Sequence, residues 1–250
     1  MNEQSLLVIR RGMNASQDGP GNRLVYHLQG CNFRCRWCSN PESIPLQGLT
    51  LQTEPPRCSC RAISVAALAK EALAARPLFF GGGGVTFTGG EPTTQFKALK
   101  TALELCRANG IHTCLESNAS HPRLPELFAL IDFLILDCKH YDNQAHLHWT
   151  GQGNATVCEN LRRAAGEREQ LLLRIPWSAA SMPKHGTRSA FPRTSRPWAW
   201  NASLWRYCAI MNLAKKNGSN AAGRIRWKIL PFPMPPLPPF APHCKAMALA

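Results

Sequence analysis

The final third of the chain contains no acidic residue. Residues 177–250 hold 11 Lys/Arg and no Asp or Glu, against 18 Lys/Arg and 15 Asp/Glu in residues 1–176. Average composition would place roughly nine acids in a stretch that long. The net charge of +14 therefore belongs mostly to the tail and does not make the whole protein a nucleic-acid binder, so nucleic acid is not an expected partner. Also missing is any run of the ~18 apolar residues needed to cross a bilayer, so no membrane association is expected. A secretory-signal pattern is lacking too. Met1 to Gln4 is polar and carries an acid, and the apolar run Leu6 to Ile9 is short and followed by Arg10 and Arg11. These absences point to the cytoplasm. There, 11 cysteines suggest metal or redox work rather than a disulfide framework.

Three of those cysteines form the stretch Cys31-Asn32-Phe33-Arg34-Cys35-Arg36-Trp37-Cys38, a C-x3-C-x2-C spacing. Thiolates select soft metals and hold iron–sulfur clusters. Three of them on a four-iron cluster leave one iron open for chemistry. The same spacing also marks one face of a helix, so three buried thiols are the competing reading. Cys58 and Cys60 read as ordinary loop thiols, because two cysteines cannot hold a second cluster.

The chain before residue 177 alternates strands and helices. Strand patterns occupy 5–10, 24–29, 85–88, 112–117, 133–138 and 171–175. Helical patterns occupy 65–76, 95–109, 124–130 and 155–165, with Ser64 as an N-cap and Gly110 as a stop. Residues 45–63 read as a loop. The alternation implies an α/β fold with a parallel sheet covered by helices, curling into a complete or partial barrel. Ligands in such folds bind at the carboxyl ends of the strands. That is where Cys31 follows its strand, where Gly89-Gly90-Glu91 follows Val85–Thr88, and where Asp137 and Lys139 follow Phe133–Leu136. After Pro176 the pattern stops. A helix over 206–216 and a strand over 224–230 are expected, and the proline-rich 231–242 can be neither.

Four stretches resemble the radical S-adenosylmethionine (SAM) enzymes, and among them the glycyl-radical-enzyme activating enzymes of the pyruvate formate-lyase activase-like type. Asp18-Gly19-Pro20-Gly21-Asn22-Arg23 leading into Gln29-Gly30-Cys31 and on to Glu42 is similar to that family's first strand and cluster loop. Gly83 to Pro92 resembles its GGE motif, Leu134 to Lys139 its D-x-K strand end, and Thr150-Gly151, Asn154 and Glu159-Asn160-Leu161 the helix that follows. The resemblance implies a partial (β/α)6 barrel with a radical SAM core over residues 5–176. It implies one [4Fe-4S] cluster on Cys31, Cys35 and Cys38. A SAM site is implied at Trp37, Ser39, Gly89, Gly90, Glu91, Glu116, Asp137 and Lys139. Gly89 and Gly90 would let the backbone approach the methionine part. Glu91 would face its ammonium, with holding a strand end as its other role. Trp37 would cover the adenine. No catalytic side chain is expected beyond these. The implied reaction is reductive cleavage of SAM to a 5′-deoxyadenosyl radical that takes hydrogen from a glycine of a partner enzyme, with flavodoxin or ferredoxin as electron donor.

The chain departs from that family in two places. It lacks the extra cysteines of the branch with a ferredoxin-like insertion, so it resembles the short type. Residues 177–250 form an atypical basic tail rich in Pro and Trp. In it, Ile229-Leu230-Pro231-Phe232 resembles the family's last strand end, but Pro233 stands where a histidine is expected. An altered reading frame would produce such a tail. Two alternatives therefore stand beside the activase reading: a radical SAM enzyme acting on a small molecule, and an inactive cluster-binding product.

Overall fold

In a computed structural model, described for residues 4–14, 17–177, 207–212 and 227–229, the chain forms a mixed α/β fold. The elements in order are strands β1 (Ser5–Asn14) and β2 (Arg23–Leu28), a 3-10 turn at Pro41–Ser43, and the short strands β3 (Thr50–Leu51), β4 (Arg57–Cys58) and β5 (Arg61–Ser64). Helix α1 (Val65–Ala75), β6 (Gly84–Gly89), α2 (Phe96–Ala108) and β7 (Thr113–Ser117) follow, then a 3-10 helix at Leu124–Leu130 and β8 (Phe133–Asp137). The chain continues with α3 (Asn143–Thr150), α4 (Ala155–Glu167), β9 (Leu171–Trp177), β10 (Tyr207–Asn212) and β11 (Trp227–Ile229).

The main sheet runs β11-β10-β9-β8-β7-β6-β2-β1-β5. Pairing is parallel from β2 through β6, β7 and β8 to β9, and antiparallel on both flanks. The five parallel strands thus end on one rim, which gathers the turns carrying the motifs. β6 is buried along nearly its whole length, as expected for a strand covered on both faces. The core packs Val85, Phe87, Leu99, Leu103, Leu115 and Leu136 between sheet and helices, all fully buried. Arg23 is buried with them. Its guanidinium donates to Thr86 Oγ1 (2.7 Å), to the carbonyl of Val85 (2.8 Å) and to that of Pro20 (3.0 Å). Thr86 Oγ1 in turn donates to the Asp18 carbonyl (2.6 Å), which fixes the Asp18–Arg23 turn beside the rim. Ser64 caps α1 by accepting from the Ala67 amide at 3.2 Å, as its sequence position implies.

Three sequence expectations change. Residues 45–63 are not all loop: β3 and β4 pair as a hairpin, and β5 adds to the sheet edge along Leu6–Val8. These strands are too short for a periodic pattern. Of the helix expected over 206–216, the described residues 207–212 form β10 instead, whose backbone pairs with β9 from Tyr207 opposite Trp177 to Asn212 opposite Leu172. Edge pairing overrides local helical propensity there. Helix α3 went unread, since its eight residues carry three polar and three aromatic-ring side chains rather than an apolar stripe. The stretches 178–206, 213–226 and 230–250, including Pro233, lie outside the described residues. Among the described residues no helix is long and apolar enough to cross a membrane.

Candidate active site

The rim encloses a cavity of about 350 Å³. Its wall takes in Cys31, Cys35, Trp37, Cys38 and Ser39 from one loop, Gly89 and Gly90 from the end of β6, Glu116 from β7, and Asp137 and Lys139 from the end of β8. Every residue singled out from the sequence is there except Glu91. His27, Asp18 and Arg174 also line it, and sequence reasoning did not put these three in the site. Arg174 enters the site as the register partner of Asp137 on the neighbouring strand.

The cysteine loop is fastened at its base and at its far side. Gln29, fully buried, donates through Nε2 to the Glu42 and Pro45 carbonyls. The Gly30 amide donates to Ser43 O (2.8 Å) and the Cys31 amide to Ile44 O (3.1 Å), so the loop closes on itself. On the far side the Arg34 and Arg36 amides donate to the carbonyls of Thr150 (2.7 Å) and Trp149 (3.1 Å) at the C-terminal end of α3. Those carbonyls have no partner within their own helix, and the loop supplies it. Phe33, 2% exposed, packs edge-on against the His146 ring at 5.2 Å. Trp37 tilts against Trp149 at 5.7 Å. The helix missed in the sequence is therefore the buttress of the cysteine loop.

All three loop cysteines are free thiols, partly exposed toward the cavity. Burial pushes Cys31 up to about 12, although the Phe33 amide donates to its sulfur at 3.4 Å. Burial also raises Cys35, against the pull of the nearby Lys139 ammonium. Both sulfurs are thus protonated at neutral pH without a metal, and loading one would release protons. Among the described residues no three His, Cys, Asp or Glu side chains converge as they would on a single metal ion. Three unpaired thiols spread along one cavity wall suit a polynuclear cluster, in which each thiolate binds its own iron.

Glu91 lies beneath the cavity, 1% exposed. Its carboxylate accepts from Thr93 N (3.1 Å), Thr93 Oγ1 (2.6 Å), Ser117 Oγ (2.8 Å) and Asn118 N (2.6 Å). Burial raises its pKa and these four donors lower it. The carboxylate is occupied in tying the end of β6 to the end of β7, which is the strand-holding role. The glycines before it are demanded by backbone. A Cβ on Gly90 would lie 2.3 Å from the Gly30 carbonyl oxygen, and one on Gly89 2.2 Å from the Leu28 nitrogen.

The opposite wall carries charge. Arg174 bridges Glu116 and Asp137, with its Nε 3.0 Å from Asp137 Oδ1. Lys139 Nζ lies 2.8 Å from Asp137 Oδ2. Glu116 Oε2 is buried and has no hydrogen-bond partner among the described residues. Asn118 donates to Asn32 Oδ1 (3.0 Å), linking this wall to the cysteine loop. A wall with both signs of charge and an unsatisfied carboxylate oxygen suits a small zwitterion carrying an ammonium and a carboxylate.

A match to the Radical SAM superfamily spans residues 25–168, and the chain belongs to that superfamily. Its members bind a [4Fe-4S] cluster and S-adenosylmethionine, the two cofactors that the cysteine spacing and the strand-end motifs imply. Within it, the chain is 32% identical over 166 residues to the pyruvate formate-lyase-activating enzymes of Staphylococcus epidermidis (strain ATCC 12228 / FDA PCI 1200) and Staphylococcus aureus (strain USA300). The matched stretch is 63% of this chain and 62% of each relative, so the chain spans under two thirds of their length. A solved domain of a pyruvate formate-lyase-activating enzyme from Bacteroides vulgatus ATCC 8482 is 30% identical over 40% of this chain and 63% of its own, with a TM-score of 0.36. QueE from Escherichia coli is 14% identical over 68% of this chain and 93% of its own, with a TM-score of 0.40.

Proposed function

We propose that the protein is a short-type glycyl-radical-enzyme activating enzyme. The observation that carries this reading is the single cavity lined by the three cysteines, the Gly89-Gly90 turn and the Glu116–Asp137–Lys139–Arg174 wall. The identity to pyruvate formate-lyase-activating enzymes supports the choice within the superfamily. Bound and reduced, the cluster would supply the electron that cleaves S-adenosylmethionine to a radical able to take hydrogen from a glycine of a partner enzyme.

The chain's own residues then have separate tasks. Cys31, Cys35 and Cys38 would hold the cluster, and the neighbouring wall would receive the amino and carboxylate groups of the substrate. Asp137, Lys139 and Glu116 orient those groups, Asp137 toward an ammonium and Lys139 toward a carboxylate. Gly89, Gly90 and Ser39 shape the wall beside them, and Trp37 offers a flat face to the adenine. Glu91 acts through the strand ends it ties. The cavity walls keep water from the reacting centre. A flavodoxin- or ferredoxin-type donor in an anaerobic cytoplasm completes the reading.

Two measurements test it. Anaerobic reconstitution should load about four irons per chain, and Cys35→Ala should lose most of that iron together with reductive cleavage of S-adenosylmethionine. Wild-type cleavage by the variant would sink the cluster assignment. Mixing the reduced protein with candidate glycyl radical enzymes should give a glycyl radical signal by electron paramagnetic resonance. Cleavage without that signal for any of them would move the protein to the small-molecule class.

A further inference from the structure

Cys58 and Cys60 do not line the cavity, and their sulfurs lie 3.8 Å apart. Both are free; Cys58 is exposed and Cys60 partly so. The hairpin holds them together. The Ser59 amide donates to Leu49 O (2.7 Å), and Ser59 Oγ accepts from the Leu49 amide (2.8 Å). This pins the middle residue and leaves the flanking thiols side by side over Gly48. Gly48 has φ +79°, and a Cβ there would lie 2.6 Å from Cys60 Sγ and 3.2 Å from Cys58 Sγ. The hollow that receives the two sulfurs therefore exists only because residue 48 has no side chain. Arg57 and Arg61 flank the pair in sequence. Cys58 is the more exposed of the two, so it is the better placed to meet a reagent first, while burial pushes Cys60 up to about 11.

We propose that Cys58-Ser59-Cys60 is a thiol–disulfide exchange site that takes small-molecule disulfides of the glutathione class. The Cys58 thiolate attacks one sulfur of the reagent, its S–S bond breaks, and one thiolate leaves, giving a mixed disulfide on Cys58. The Cys60 thiolate then attacks the Cys58 sulfur, the mixed disulfide breaks, and the second reagent thiolate leaves as the Cys58–Cys60 bond forms. The dithiol gives up two electrons and two protons. One reagent disulfide takes them and becomes two thiols. A ring this small is strained, which makes the bond readily reversible. The inference is independent of the activase reading, since neither cysteine belongs to the cavity.

The flanking arginines make the site directly readable, because trypsin releases residues 58–61 as a tetrapeptide. The full chain carrying its cluster is equilibrated anaerobically across a series of reduced-to-oxidised glutathione ratios. It is then quenched in acid, alkylated under denaturing conditions and digested. The expected wild-type result is a tetrapeptide that escapes alkylation and is two hydrogens lighter as the buffer becomes more oxidising. Returning the sample to reduced glutathione should restore the doubly alkylated form. In Cys60→Ser the ring cannot close, and the tetrapeptide should carry glutathione on Cys58. A doubly alkylated wild-type tetrapeptide across the whole series would overturn the proposal. So would glutathione adducts on both cysteines without ring closure.

Discussion

Glu91, just past β6, and Glu116, in β7, lie one strand apart near the same rim, yet their surroundings differ in kind. Glu91 is sealed from solvent, and four donors on two elements converge on its two oxygens. Glu116 faces the cavity, pairs with Arg174, and keeps one buried oxygen without a partner among the described residues. Asp137, one strand further along, shares Arg174 with Glu116 and also pairs with Lys139. A carboxylate whose hydrogen-bonding capacity is filled by its own chain is a structural clamp. One held by cationic side chains rather than by backbone amides can exchange those partners for a ligand. The sheet thus separates two uses of the same chemical group within one rim.

The sharpest way to break this contrast is to remove each carboxylate in turn. Glu91→Ala strands the buried Thr93 and Asn118 amides, each worth about 1–3 kcal/mol when unsatisfied. The expected cost is roughly 3–5 kcal/mol of stability, at the upper end of single substitutions. A shift of that size in the urea midpoint of the cluster-free protein checks it, and a loss under about 1 kcal/mol would contradict the clamp. Asp137→Asn should do the reverse. Its partners Arg174 and Lys139 are only 17% and 20% exposed. They are side chains rather than backbone amides, and the asparagine amide keeps the carboxylate's shape, so the expected cost is about 1–2 kcal/mol, below that of Glu91→Ala. Binding of S-adenosylmethionine to the reconstituted protein, followed by calorimetry, should weaken tenfold or more, about 1.4 kcal/mol. Unchanged binding would remove Asp137 from the site.

Much of this was legible before the fold was known, and the reasons are physical. Spacing alone proposed the three cysteines. Strand patterning put Gly89–Gly90, Glu116 and Asp137–Lys139 at carboxyl ends, and parallel pairing brings such ends to one rim. Direction and depth were not legible. Glu91 was expected to face a ligand, but the 3-10 turn that follows it brings the Thr93 amide to its carboxylate, within reach of the β7 end. Gly89 and Gly90 were expected to let a ligand's methionine part approach the backbone; the fold gives them a further reason to lack side chains, since a Cβ would meet Leu28 and Gly30. Arg174 escaped because its role depends on pairing β8 with β9 across 37 residues of sequence. Helix α3 escaped because its task is to offer carbonyls at one end rather than an apolar stripe.

The thiols extend the same contrast between filled core and open rim, with a smaller effect. Cys106 in α2 and Cys114 in β7 are fully buried in the core, and burial pushes each up to about 12 from 9.0. Cys31 and Cys35 are partly exposed at the cavity. Burial raises Cys31 and Cys35 as well, so the difference between the two sets is one of access. In cluster-free protein near pH 8, an alkylating reagent should reach the cavity thiols directly while Cys106 and Cys114 react only through unfolding, at rates lower by about a hundredfold or more. The pH dependence follows from the direction of the core shifts. A thiol whose pKa is raised on folding holds its proton more tightly in the folded state. Its contribution is fully present below the unfolded value near 9 and is lost as pH rises from there toward 12. Stability of the cluster-free protein should therefore fall between pH 9 and pH 11, and a Cys106→Ala, Cys114→Ala double variant should show a shallower fall over the same range. An identical slope in the double variant would mean that these two sulfurs are not held as the core packing implies.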